Sequence, residues 1–136
     1  MCSSDLWFSE GIAVYCELSN VSSGRLVPSP RDETISKRFR EAFSPGEKIS
    51  PGLFLRAPRK EFEGEENSTY YYGSYLLVYF LLHGEQGKYR ERFFRYFQEE
   101  QKEGPCPIPV FWDVMGNSPE GLTREFNHFL GTGMKQ

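Results

Sequence analysis

A chain of 136 residues has the size of one domain built around a single hydrophobic core. Hydrophobic residues make up 38% and charged residues 26%, while the high aromatic share of 16% argues against disorder. The net charge of -3 offers no broad cationic surface, so the composition argues against nucleic acid as a partner. The longest apolar run, residues 75–82, is far shorter than the roughly 20 residues that span a bilayer, so we expect no membrane span.

The cysteines and the N-terminus bear on disulfide bonds, zinc sites and export. Three cysteines without C-x-x-C spacing and two histidines predict neither a disulfide framework nor a closed Cys/His zinc site. Residues 1–6 lack the basic and apolar regions of a signal peptide, and a helical pattern follows at once. We therefore interpret residues 1–6 as a non-native-looking or truncated N-terminus, residues 7–130 as one helical domain or subdomain and residues 131–136 as a tail. The cellular location stays open.

The first predicted helix runs from Asp5 or Leu6 to Leu18, and its apolar stripe consists of Trp7, Gly11, Val14, Tyr15 and Leu18. Glu10 lies on a neighbouring stripe of that helix. Residues 20–30 contain serines, a glycine and prolines and predict a loop. A short helix is predicted over residues 31–43, and an ordered loop with one helical turn over residues 45–67.

The second half of the chain is predicted to be more regular. A helix that begins at Ser68 or Thr69 and ends near Leu82 is apolar almost all round, which is typical of a buried helix. His83, just before Gly84, is expected to act as a C-terminal cap of this helix. An amphipathic helix follows over residues 88–102, then an extended connector, a short helical turn over residues 110–115 and a last helix that carries Leu122, Phe126, Phe129 and Leu130. The pattern predicts an all-α fold of four to five helices with long ordered loops.

One segment carries a chemical signature. Trp7, Glu10, Gly11, Ala13 and Tyr15 form the pattern W-x-x-E-G-x-A-x-Y. This pattern resembles the third-ligand segment of the gluzincin zinc metallopeptidases, the aminopeptidase N-like and peptidase MA-like families. The resemblance implies that Glu10 is a zinc ligand and that Gly11 allows close helix packing. It also implies that Trp7 and Tyr15 form the walls of the zinc site.

A second segment is similar to the same group. Residues 71–81 fit the pattern Y-x-x-[SG]-x-x-x-[VL]-x-x-L of the helix that follows the ligand segment in those enzymes. The resemblance implies that Tyr71, with Tyr70 as the alternative, donates a hydrogen bond to the oxyanion of the tetrahedral intermediate. Over residues 7–130 the chain is most similar to an uncharacterised bacterial branch of the group, although that branch usually has a tryptophan near Phe126. The implied fold is the C-terminal helical subdomain of a zincin.

The H-E-x-x-H motif that supplies the other two zinc ligands and the catalytic base of gluzincins is absent from this chain. Too few residues precede Glu10 to contain it, so it is expected to lie outside the chain or not to exist. We therefore expect zinc and a peptide or protein substrate for the intact parent, whose relatives are often exported. For the chain alone we expect no bound zinc and no activity.

Alternatives remain for each of these assignments. Glu10 is also consistent with a carboxylate on a helix surface, and the tyrosines at 70 to 72 with core aromatics. A different class of function also fits: a metal-free helical module that uses aromatic surfaces to bind a partner protein.

Overall fold

The computed structural model describes residues 6–18, 20–22, 25–27, 32–44, 47–65, 67–103 and 108–132. Within these ranges the chain forms eight α-helices and one hairpin of two short strands. The helices are α1 (Leu6–Leu18), α2 (Asp32–Glu41), α3 (Gly52–Leu55), α4 (Arg59–Glu63), α5 (Asn67–His83), α6 (Arg90–Glu103), α7 (Ile108–Met115) and α8 (Pro119–Thr132). The strands are β1 (Asn20–Ser22) and β2 (Arg25–Val27). The predicted all-α class is confirmed.

Two stretches are more regular than the sequence predicted. The predicted loop over residues 20–30 contains the antiparallel pair β1 and β2, in which Val21 lies opposite Leu26. The segment predicted as a loop with one helical turn contains both α3 and α4, and α4 follows Pro58. These elements raise the helix number above the predicted four to five. The proposed Asp5 cap, the first part of the connector at residues 104–107 and most of the proposed tail lie outside the described residues.

Helix α5 is the centre of the fold. Over residues 74–81 only Tyr79 is more than marginally exposed, because apolar side chains surround this helix on all sides. Helix α1 packs along α5 in the same direction, since Gly11 lies against Ser74 and Val78, and Tyr15, four residues further along, reaches His83 at the end of α5.

The crossing of α1 and α5 is very close. A β-carbon placed on Gly11 would lie 2.7 Å from the carbonyl oxygen of Ser74 and 2.8 Å from Cγ2 of Val78. Both distances are shorter than a carbon atom tolerates, so the two helix backbones can approach this closely only because position 11 has no side chain.

The core explains the high aromatic content. Large rings fill the space around α5, and many of them meet edge to face or tilted, which is the preferred geometry of aromatic pairs: Trp7, Phe54, Phe80, Tyr96, Phe111 and Phe126. A smaller cluster of Leu6, Ala57 and Phe62 covers the first turns of α5. None of the described helices is both long and apolar enough to cross a membrane.

A left-handed turn joins α5 to α6. Glu85, Gln86 and Gly87 have positive φ angles of 50°, 58° and 80°. The amide of Lys88 donates a hydrogen bond to the Glu85 carbonyl at 3.2 Å, which closes the turn. A left-handed conformation costs a non-glycine residue about 1 kcal/mol, so the packing on both sides must hold this turn in place.

Candidate functional site

Glu10 lies on the flank of α1 beside the close crossing. Its side chain is partly buried, whereas Ala13 and Glu17, further along the same stripe, are exposed. Among the described residues, none forms a hydrogen bond or an ion pair with Glu10. Within the described part of the chain, the carboxylate is therefore positioned by its helix and not by polar partners.

Tyr71 and Tyr70 lie at the start of α5 and pack against the small cluster of Leu6, Ala57 and Phe62. The Tyr71 ring meets Phe62 edge to face at 5.4 Å between centroids, and Tyr70 lies 5.8 Å from Phe62. Both tyrosines are partly buried.

The structure brings Glu10 and Tyr71 to the same end of the α1–α5 pair. Leu6, in the cluster that Tyr71 contacts, is one helical turn before Glu10. Ser74, at the crossing next to Glu10, is three residues after Tyr71 on α5.

The proposed wall residues are all in the core. Trp7 is fully buried, Tyr15 is 7% exposed, and Gly11 is buried at the helix crossing. Nε1 of Trp7 and Oγ of Ser74 are buried and have no hydrogen-bond partner among the described residues. Leaving buried donors unpaired is unfavourable, so these two polar atoms do not stabilise the crossing, and van der Waals contacts dominate around Gly11.

The described residues do not fit a complete zinc site. Among them, no three His, Cys, Asp or Glu side chains are grouped closely enough to hold a metal ion. Glu10 supplies one carboxylate, and a zinc centre of this type needs three protein ligands. A three-ligand zinc centre at Glu10 therefore requires at least one ligand from outside the described residues.

A tyrosine–histidine cluster, which the sequence did not predict, lies at the far end of the same helix pair. The hydroxyl of Tyr15 and Nε2 of His83 are 2.7 Å apart and share a hydrogen bond. The two rings stack at 5.9 Å, and Tyr79 lies 4.8 Å from the imidazole. Burial, with a smaller contribution from the positive charge of Arg90, lowers the pKa of His83. His83 ends α5 as expected, and its side chain shares a hydrogen bond with Tyr15 and so joins α5 to α1, while the lowered pKa favours the neutral imidazole.

A second unpredicted network joins the start of α6 to α8. Glu125 accepts hydrogen bonds from Tyr89 at 2.6 Å and from Asn117 at 2.7 Å, and it forms an ion pair with Lys88 at 2.9 Å. Burial acts to raise the pKa of Glu125, but the hydrogen bonds from Tyr89, Lys88 and Asn117 outweigh it and lower that pKa. Burial and the hydrogen bond to Glu125 raise the pKa of Tyr89. The network thus favours the ionised form of the Glu125 carboxylate and the protonated form of the Tyr89 phenol.

Only part of these two clusters was visible in the sequence. Tyr75, Tyr79 and His83 are spaced four residues apart on α5, which places them on one face. Tyr15 is 68 residues from His83, however, and Tyr89 is 36 residues from Glu125. Local spacing cannot predict contacts between such distant positions.

Comparisons of the chain with protein-family models, with curated proteins and with solved structures return no match. The resemblance to gluzincins therefore rests on the two motifs in the sequence and on what their residues can do chemically.

Proposed function

We propose that the chain is the helical part of a gluzincin-like zinc peptidase, in which Glu10 is the third zinc ligand. The observation that carries the proposal is the pattern W-x-x-E-G-x-A-x-Y at residues 7–15. Two positions of this pattern have separate physical roles, since Gly11 removes a side chain at a helix crossing and Glu10 presents a carboxylate beside it.

The geometry of α1 supports this proposal. Gly11 lies where a β-carbon would collide with the backbone of α5, which is the role that the pattern requires. The neighbouring carboxylate of Glu10 is partly buried and has no partner among the described residues, so no ion pair would have to break before it binds a cation.

Tyr71 is the proposed oxyanion donor, with Tyr70 as the alternative. Tyr71 is three residues before Ser74, which contacts Gly11, the residue next to Glu10, and the Tyr71 ring packs against Phe62. A phenol held in this way can donate a hydrogen bond to a developing negative charge. The reaction class of the intact parent is peptide hydrolysis, with a peptide or protein as substrate, and this chain alone is expected to be inactive.

The experiment is to express the chain together with the reading frame that precedes it in the source DNA, and to measure zinc per chain by mass spectrometry. We expect zinc in this extended protein and its loss in Glu10→Ala. Glu17→Ala is the matched control, because Glu17 is an exposed carboxylate on the same helix. An extended protein that holds no zinc, or that keeps it in Glu10→Ala, would overturn the proposal.

Titration of the chain alone with zinc completes this test. We expect no tight binding, because zinc affinity comes from several ligands held together. Tight binding that Glu10→Ala abolishes would show that residues of this chain complete the site by themselves.

One observation favours a second candidate, a metal-free module that binds a partner protein. Phe94 is 54% exposed and Phe97 is 37% exposed, and both lie on α6. Light scattering of the purified chain separates the two candidates. A module is expected to be a stable monomer or dimer, whereas a subdomain that needs the rest of its parent is expected to aggregate through exposed apolar surface.

A further inference from the structure

A positively charged cleft lies where the left-handed turn meets α6. Its volume is about 340 Å³, and one glycine, four cations and one carboxylate line it: Gly87, Lys88, Arg90, Glu91, Arg92 and Arg95. The chain as a whole carries a net charge of -3, so this concentration of cations is local. Like charges gathered in one cleft repel each other and attract anions.

Two of the arginines are held in place by backbone carbonyls. Nε of Arg90 donates to the carbonyl of Leu82 at 2.9 Å, at the end of α5. A terminal nitrogen of Arg92 donates to the carbonyl of Val114 at 3.1 Å, at the end of α7. Each bond uses one of five guanidinium N–H groups and orients the remainder, so both arginines are preorganised to bind a ligand.

Arg95 is the least compensated cation of the cleft. Lys88 is paired with Glu125, whereas Arg95 forms neither a hydrogen bond nor an ion pair with another described residue. Glu91, four residues earlier on α6, is the carboxylate that lines the cleft with it. An anion in the cleft would therefore be attracted most strongly by Arg95 and repelled by the carboxylate of Glu91.

We propose that this cleft binds the phosphate group of a small anionic ligand. The guanidinium group presents paired N–H donors that match the oxygens of a phosphate, and a doubly charged phosphate interacts more strongly with several cations than a carboxylate does. The cleft is also within the size range of small-molecule sites, so the phosphate is expected to belong to a larger molecule. This proposal is independent of Glu10 and of the peptidase proposal.

The experiment is a titration of the whole chain with inorganic phosphate, followed by backbone amide NMR at constant ionic strength. Acetate is the singly charged control anion. We expect phosphate to shift the amide signals of Gly87 and of the first turns of α6 at lower concentrations than acetate. Phosphate that acts no more strongly than acetate, or that shifts signals elsewhere, would overturn the proposal.

Three variants test the assignment with effects of opposite sign. Arg95→Ala is expected to weaken phosphate binding roughly tenfold, because it removes charge-assisted hydrogen bonds. Glu91→Gln is expected to strengthen binding, because it removes the opposing charge. Arg38→Ala, an exposed arginine of α2 outside the cleft, is expected to change nothing. If Arg95→Ala matches Arg38→Ala, or if Glu91→Gln weakens binding, the cleft is not the site.

A parallel experiment identifies the source of the phosphate group. Sedimentation with phosphatidylcholine vesicles, with and without phosphatidic acid, tests a lipid headgroup. Sedimentation that depends on phosphatidic acid and on Arg95 would assign the cleft to lipid phosphate. Binding of free phosphate without sedimentation would assign it to a soluble phosphate ester.

Discussion

Two regions of the molecule are stabilised by different interactions: the crossing of α1 with α5 by close packing, and the start of α6 by polar contacts. At the crossing, two helix backbones meet across Gly11, and the buried polar atoms of Trp7 and Ser74 have no partner among the described residues. At the start of α6, hydrogen bonds and an ion pair supply many of the contacts, and most of the side chains are exposed. The first region should therefore be sensitive to added volume, and the second to the loss of the Glu125 charge.

His83 links these two regions. It ends α5, shares a hydrogen bond with Tyr15 of α1, and has its pKa lowered by burial and by Arg90 of α6. His83 therefore contacts α1 and is within electrostatic reach of α6.

The largest expected effect is steric. Gly11→Ala should lower the free energy of unfolding by about 1–3 kcal/mol, because the new methyl group would overlap the Ser74 carbonyl and the helices would have to separate. The higher helix propensity of alanine, worth about 1 kcal/mol, only partly offsets this loss. Urea denaturation measures the difference.

Gly131→Ala is the matched control for this steric effect. Gly131 is also helical, but a β-carbon there would meet only the Arg40 guanidinium, at an ordinary contact distance of 3.5 Å. We expect unchanged or slightly increased stability. An equal loss in both variants would show that the close crossing does not govern position 11.

A smaller effect is expected in the charged region. Glu125→Gln should lower the free energy of unfolding by about 1 kcal/mol, because the hydrogen bonds from Tyr89 and Asn117 lose their charged acceptor. The exposed ion pair with Lys88 should add little. Glu17→Gln, at an exposed position of α1, is the control and should have no measurable effect in the same denaturation experiment.

The pH dependence at Glu125 sharpens this comparison. Its pKa in the fold is below the usual 4.5, so the stabilisation is present above that pH and is lost as the pH falls below it. The wild-type protein should therefore lose stability more steeply than Glu125→Gln on acidification below about pH 4.5. Parallel curves would contradict the hydrogen-bonded carboxylate.

The smallest expected effect is a change, caused by His83, in how steeply the stability of the protein depends on pH. Its pKa in the fold lies below the usual 6.5, so the unfolded chain takes up a proton first and stability declines as the pH falls below 6.5. His83→Gln should flatten this decline, whereas replacing the exposed His128 by Gln should leave the slope associated with His83 in place. Thermal denaturation across this pH range measures both variants, and equal slopes in wild type and His83→Gln would refute the assignment.

The long helices could be predicted because their signals are local. The periodicity of α1, α6 and α8 is contained within each segment, and the continuous apolar run of α5 already indicated a buried helix. The short elements were harder: β1 and β2 have three residues each, too few for an alternating pattern, and α3 has four. Such elements form because the neighbouring core holds them.

The sequence by itself determined the all-α class, the long helices and the motif around Glu10, because each depends on residue types at short and regular spacing. Only the tertiary structure decided that Gly11 lies against Ser74, that Tyr15 meets His83 and that Arg92 donates a hydrogen bond to the carbonyl of Val114. These arrangements depend on how helices pack in space. Side-chain volumes and charges at positions far apart in the chain jointly determine that packing.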